Sequence, residues 1–272
     1  MPHYRLTIAY DGTDFYGSQV QSGKRTVQGE LERALYAVGG TGCTSQFAGR
    51  TDRGVHACGQ VVAVALPEWR AEASILARAI QSRLPNDIAI LAGSECAPAF
   101  HPRFDANWRE YRYWIRFGSR DPFLDRVSWL LRSSVDLDAV HQGMARLVGT
   151  HDFASFAGGG EGVPWSERSR MARGTVRTIL GCEGRRVMAQ SGPGPCGPIE
   201  AIELRFVADG FLPQMVRSMT AALVEIGQGR RAADWISEIL GAKDRRGGPG
   251  VAPPQGLTLC NIGYGTDAYE VW

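Results

Sequence analysis

Tyr4, Leu6, Ile8 and Tyr10 alternate with Arg5, Thr7 and Ala9, the period-two signature of a strand with one buried face. Val27, Leu31, Leu35 and Val38 then fall at helical spacing, with Thr26 placed to cap the helix. Two strands follow, Thr44–Ala48 and Gln60–Leu66. A second helix is predicted from Ala71 to Leu84, with Ile75, Leu76, Ala79 and Ile80 on one stripe; Pro85 stops it, and Asp87–Leu91 reads as a strand. The order is β-α-β-β-α-β, the ferredoxin-like split arrangement.

The second half reads as a related series. Glu110–Phe117 is strand-like, Asp136–Val148 helical through Leu137, Val140, Met144 and Leu147, and Thr175–Cys182 and Ile199–Val207 are strands. Pro213–Gly227 carries Val216, Met219, Leu223 and Ile226 in helical register, a further helix lies near Ala232–Leu240, and Leu257–Tyr264 closes with a strand. The expected fold class is therefore α+β, with two ferredoxin-like halves, residues 1–106 and 107–272, whose sheets lie side by side around a cleft. The halves share no evident sequence identity, so the repeat rests on element order alone. Gly158–Gly174 and Gly184–Pro198, rich in Gly, Pro and Arg, read as long loops.

Composition narrows the chemistry more than the charge does. Net charge is only +2, yet 28 arginines stand against two lysines, Lys24 and Lys243. Arginine offers a planar donor fork that fits phosphate and stacks on bases, although a GC-rich coding bias gives the same excess. Local clusters are Arg168-Ser169-Arg170-Met171-Ala172-Arg173 and the run from Arg103 to Arg116, where arginines mix with Phe104, Trp108, Tyr111, Tyr113 and Trp114. No apolar run is long enough to span a membrane, and Met1-Pro2-His3-Tyr4-Arg5 leads straight into a strand pattern, so a cytoplasmic protein is expected. Six scattered cysteines and five histidines show no metal-ligand or disulfide spacing. Gly23-Lys24 is followed by Arg25, which excludes a Walker A loop, and no nucleophile elbow is present. Neither a metal nor a cofactor is expected.

The most specific chemistry lies in Gly49-Arg50-Thr51-Asp52-Arg53-Gly54-Val55-His56-Ala57. In an extended turn, residues two apart share a side, which places Arg50 beside Asp52. A neighbouring cation favours the ionised carboxylate, suited to nucleophilic or charge-stabilising work. A structural ion pair in a turn is the competing reading.

The segment from Phe47 to Ala57 closely resembles the signature of TruA-type tRNA pseudouridine synthases, in which the Asp of Gly-Arg-Thr-Asp-x-Gly-Val-His-Ala is the catalytic nucleophile; by resemblance this is Asp52. The likeness extends along the chain. Ala9-Tyr10-Asp11-Gly12-Thr13-Asp14-Phe15-Tyr16-Gly17 and Arg25-Thr26-Val27-Gln28-Gly29-Glu30-Leu31 look like the family's opening strand, loop and helix, though Ser18 replaces its usual Trp. Phe100-His101-Pro102-Arg103-Phe104 resembles a family run that lies along the RNA. Tyr111-Arg112-Tyr113 matches the Tyr-x-Tyr whose first Tyr packs on the target uracil, while a core tyrosine better suits Tyr113. Arg217, in Gly210-Phe211-Leu212-Pro213-Gln214-Met215-Val216-Arg217, corresponds to the basic partner of the catalytic carboxylate. Leu257, after Ala252-Pro253-Pro254-Gln255-Gly256, corresponds to a residue that keeps water from the reaction centre.

The resemblance implies the pseudouridine synthase fold with a central RNA-binding cleft, a homodimer, and isomerisation of uridines 38, 39 and 40 in the anticodon stem-loop of tRNA. In that scheme the target uridine is flipped out, Arg50 fills the space it leaves, and Asp52 assists glycosidic cleavage by covalent attack or by charge stabilisation. A non-catalytic RNA-binding protein or tRNA-folding chaperone on the same fold is the alternative. It has no need of Arg50, Asp52, Tyr111 and Arg217 together.

Overall fold

A computed structural model of the chain describes residues 3–158, 174–190 and 198–269. Among these residues are ten strands and five α-helices, a mixed α+β architecture in which strand pairing is mostly antiparallel. Internal contacts divide the chain into two compact units. One runs to Arg109 and includes Thr258–Ala268; the other comprises Glu110–Leu257 and Tyr269.

In the first unit, β1 (His3–Tyr10), α1 (Val27–Gly39), β2 (Thr44–Phe47), β3 (His56–Ala65), α2 (Ala73–Gln81) and β4 (Ile88–Glu95) follow in the predicted order. Tyr4, Leu6, Ile8 and Tyr10 are buried, and Leu31, Leu35, Leu76 and Ile80 of the helices are buried with them. Burying each such side chain is worth about 1.5–3 kcal/mol, so this alternation dictates which face of β1 turns inward. Thr26 Oγ1 accepts from Gly29 N at 3.2 Å, the expected cap.

Strand β1 lies between β3 and β4, antiparallel to both, and β2 pairs with the far end of β3. The last strand, β10 (Leu257–Tyr264), runs parallel to the beginning of β3, with Thr258 opposite His56 and Leu259 opposite Ala57. β3 begins at His56, five residues before its apolar run starts at Val61. Its first residues, His56–Gly59, lie beside β10, and at Gly59 the approach leaves no room for a side chain: a Cβ there would lie 1.9 Å from Cys260 O.

The second unit holds β5 (Ala106–Phe117, from Glu110 onward), β6 (Trp129–Leu131), α3 (Leu137–Ala145), β7 (Gly149–Asp152), β8 (Val176–Gln190), β9 (Pro198–Ala208), α4 (Met215–Gly227) and α5 (Trp235–Ala242), with strand order β5-β9-β8-β7. The short strands β6 and β7 had no pattern of their own in the sequence. Helix α3 is capped by Asp136, whose Oδ1 accepts from Asp138 N at 2.9 Å. It packs on α4 at Gly143, where a Cβ would meet Leu223 and Ile226 at 3.0 and 3.1 Å.

The expected loop Gly184–Pro198 is corrected by this unit. Gly184–Gln190 continues β8 and pairs residue by residue with Leu204–Pro198 of β9. Composition misleads because the strand's polar residues have cross-strand partners: Arg185 pairs with Glu203 at 2.8 Å, and Arg186 pairs with Glu200. Gly184 leaves room for Leu137 and Leu204, which a Cβ would approach at 3.2 and 3.3 Å. Residues 191–197, most of Gly158–Gly174 and the arginines at 168, 170 and 173 lie outside the described residues.

Candidate active site

The loop Gly49–Val55 joins β2 to β3, and almost every peptide in it is tied down. Gln60, wholly buried on β3, accepts from Gly49 N at 3.2 Å and donates to Gly49 O at 2.8 Å. Thr51 turns inward: its Oγ1 meets Tyr10 Oη at 2.8 Å, its N donates to Ser18 Oγ at 2.9 Å, and its O accepts from Ser18 N at 3.1 Å. Burial lifts the Tyr10 phenol to about 12, so its proton stays in this network at neutral pH. Gly54 N donates to Phe15 O at 3.3 Å, and Val55 N to Asp52 O at 3.2 Å. Gly54 has φ +78°, a conformation that favours glycine.

Two close approaches lock this loop to the segment Asp11–Ser18. A Cβ on Gly12 would lie 2.0 Å from Val55 O, and one on Gly17 would lie 2.8 Å from Thr51 O. His56 completes the frame, its Nδ1 accepting from Gly12 N at 3.0 Å. With Thr51 buried between them, Arg50 is exposed and Asp52 half-buried. The carboxylate therefore stands on a loop whose backbone has little freedom to move.

Sequence reasoning missed Gln60, Ser18 and Tyr10 as the residues that hold this loop. Gln60 left a trace: it is a lone amide heading the apolar run Val61-Val62-Ala63-Val64-Ala65. A buried amide must be hydrogen-bonded, so its presence in such a run marks a backbone partner.

The first unit also holds the Phe100–Phe104 turn, between β4 and β5. Phe100 packs on Tyr264 with centroids 5.2 Å apart, and Tyr264 Oη donates to Pro102 O at 2.7 Å. Arg5 lies over the Tyr264 ring at 4.5 Å. His101 Nδ1 accepts from the N of Arg103 and of Phe104, at 3.2 and 3.3 Å, which puts the proton of the neutral ring on Nε2. Pro102 is buried and Arg103 half-buried, while Phe104 is 70% exposed. An aromatic that exposed on a rigid turn can stack on a base.

Tyr111, Tyr113, Arg217 and Leu257 fall in the second unit. Tyr111 is buried, its ring edge-on to Phe211 at 5.1 Å. Tyr113 is wholly buried, donates to Pro253 O at 2.7 Å, and lies flat enough against Gly256 that a Cβ there would be 2.6 Å from its ring. Burial pushes its phenol well up, against the opposing influence of the nearby Arg217 charge. Arg217, in the first turn of α4, is clamped reciprocally to Ala252: its Nε donates to Ala252 O at 2.7 Å, and its O accepts from Ala252 N at 3.1 Å. The unit thus gathers Arg217, Tyr113 and the Ala252–Gly256 segment that ends at buried Leu257. Among the described residues, no group of three or more His, Cys, Asp or Glu side chains is placed to hold a metal. No described helix is long and apolar enough to cross a membrane.

The described residues thus carry a tied-down loop bearing Asp52, an exposed aromatic turn and an arginine fixed to a proline-rich segment. The family model described as tRNA pseudouridine synthase matches residues 6–105 and 144–265. The chain is 41% identical to tRNA pseudouridine synthase A of Solidesulfovibrio magneticus over 97% of its length and 92% of the relative's. It is 38% identical to that of Geobacillus sp., covering 96% and 97%, and 37% identical to that of Caulobacter vibrioides, covering 97% and 100%. The chain belongs to the tRNA pseudouridine synthase family.

Proposed function

We propose that this chain converts uridine to pseudouridine at positions 38, 39 and 40 of the tRNA anticodon stem-loop, with Asp52 as nucleophile. Family membership supports the reaction, and one structural observation supports the residue. Asp52 is the carboxylate on a loop whose flanking peptides are fixed by Gln60, Ser18, Tyr10 and Phe15. A nucleophile held by its own backbone gains rate because its geometry costs nothing further to reach.

In the reaction the N1–C1′ bond breaks, the uracil turns, a C5–C1′ bond forms, and the proton lost from C5 is balanced by one gained at N1. No electrons enter or leave, and no group is donated. Extruding the uridine costs a few kcal/mol. Arg50, exposed and carried on the same loop, takes the vacated position. By the family resemblance Arg217 is the basic partner of the nucleophile, Tyr111 packs on the uracil, Leu257 keeps water out, and Phe100, His101, Pro102, Arg103 and Phe104 bind along the RNA. The working form is a homodimer in the cytoplasm, for which the family resemblance is the support.

The test is to incubate the protein, without cofactors, with an unmodified tRNA transcript and map carbodiimide-dependent primer-extension stops. Stops confined to the anticodon arm are expected, and Asp52→Asn is expected to abolish them while tRNA binding persists. Binding with no stop anywhere would make the protein an RNA binder or chaperone instead.

A further inference from the structure

Beside the catalytic loop, the ring of Tyr16 carries two cations. Arg53 Cζ lies 4.3 Å from its centroid and Lys24 Nζ 4.6 Å. All three side chains are exposed, Tyr16 at 36%. They come from three turns that are hydrogen-bonded together: Tyr16 N donates to Arg25 O at 2.9 Å, Lys24 N to Gln21 O at 3.2 Å, and Gly54 N to Phe15 O at 3.3 Å. Gln21 Nε2 also donates to Tyr16 O at 2.7 Å.

The neighbouring Arg25 shows what a structural arginine looks like in this region. Its fork is bidentate on Asp87, at 2.7 and 2.9 Å, and its Nε reaches Glu30 at 3.1 Å. Among the described residues, neither Arg53 nor Lys24 has a carboxylate within ion-pair distance. Two like charges gathered on one ring repel each other, and the ring's quadrupole offsets only part of that. An anion within reach of both side chains offsets that repulsion. Arg53 presents a planar fork steadied by the ring, and Lys24 a compact ammonium, the two donor shapes that suit phosphate oxygens.

We propose that Arg53 and Lys24, oriented by Tyr16, form a clamp for a phosphodiester of the RNA strand next to the target uridine. The proposal rests on the RNA substrate assigned above. Since Arg53 directly follows Asp52, a phosphate held there sets the register of the strand relative to the nucleophile; phosphate contacts of this kind position rather than specify.

The experiment measures binding of an unmodified tRNA transcript by fluorescence anisotropy across a salt series, in the Asp52→Asn background where turnover does not interfere. Arg53→Ala and Lys24→Ala are each expected to raise Kd about fivefold near 0.1 M salt and to flatten the log–log salt slope by about one. The double variant should flatten it by about two. Arg70→Ala, an exposed arginine on the same unit bonded to Pro67 O and Trp69 O, should leave Kd and slope unchanged. A double variant with Kd within about twofold of its parent and an unaltered slope overturns the clamp, as does an equal loss in Arg70→Ala, which would signal net charge alone. Failure of the functional reading has a different signature: the native chain binds tRNA with the full salt slope yet leaves no pseudouridine.

Discussion

Gln60 gives both ends of its amide to Gly49, accepting from its N–H and donating to its carbonyl, and so acts as a short strand partner for the first residue of the loop that carries Asp52. Gln60→Met keeps the volume and removes both bonds. We expect stability to fall by about 1–3 kcal/mol, the cost of unsatisfied partly buried backbone groups. We also expect turnover to drop at least about tenfold, because a displaced nucleophile loses its near-attack geometry. Urea denaturation and the pseudouridine assay read the two effects separately; a variant with full turnover would show that the clamp does not position Asp52.

Gly12 touches the other end of the same loop. In Gly12→Ala the new methyl group meets the Val55 carbonyl at 2.0 Å, with no flexible side chain able to yield. The backbone of one segment must move, at a cost of about 1–3 kcal/mol. Thermal unfolding should show the loss, and turnover should fall further than stability alone explains. Unchanged melting would mean that the two segments separate freely.

Arg217→Lys preserves the charge and removes the Nε donor to Ala252 O. A lysine cannot hold the carbonyl and present a planar fork together. The expected outcome is a loss of about 0.5–1.5 kcal/mol in stability, with lower turnover and nearly unchanged tRNA affinity. Retention of normal turnover would remove the fork geometry from the catalytic scheme.

The second unit should be sensitive to acid. Burial of Glu110 opposes its ionisation, but hydrogen bonds from Arg205 at 3.0 Å and Arg112 at 2.7 Å outweigh this and hold its carboxyl below the ordinary 4.5. A carboxylate with a depressed folded-state pKa contributes stability that is present above the unfolded value and is lost as pH falls through the folded one. Stability is therefore expected to decline from pH about 4.5 downward. Glu110→Gln should be less stable than the native chain at neutral pH and show a shallower decline in acid. An equal loss of stability between neutral and acid pH in the native chain and Glu110→Gln, read from urea midpoints, would exclude Glu110 as a contributor.

The pattern of apolar positions was sufficient for β1, α1, α3, α4 and β10, where alternation or helical spacing sits between clear breakers. It failed where residues answer to a neighbour distant in sequence. Gly184–Gln190 reads as loop because Gly and Arg are poor strand formers alone, yet Glu200 and Glu203 across the ladder make those arginines fit. The start of β3 lacks an apolar signal, and at Gly59 it is β10, about two hundred residues later, that leaves no room for a side chain.

The same division holds for the candidate site. Asp52 and Arg50 stand out in the chain as candidate groups because a rare string of residue types marks them locally, and Arg217 stands out only through the family resemblance. What holds them does not. The inward turn of Thr51, the two hydrogen bonds of Gln60 to Gly49, the Arg217–Ala252 clamp and the meeting of Lys24 and Arg53 over Tyr16 all join residues that are not neighbours in the chain. Local sequence sets what each side chain can do; hydrogen bonds and close packing between distant segments decide where it is held, and those come into being only when the chain has folded.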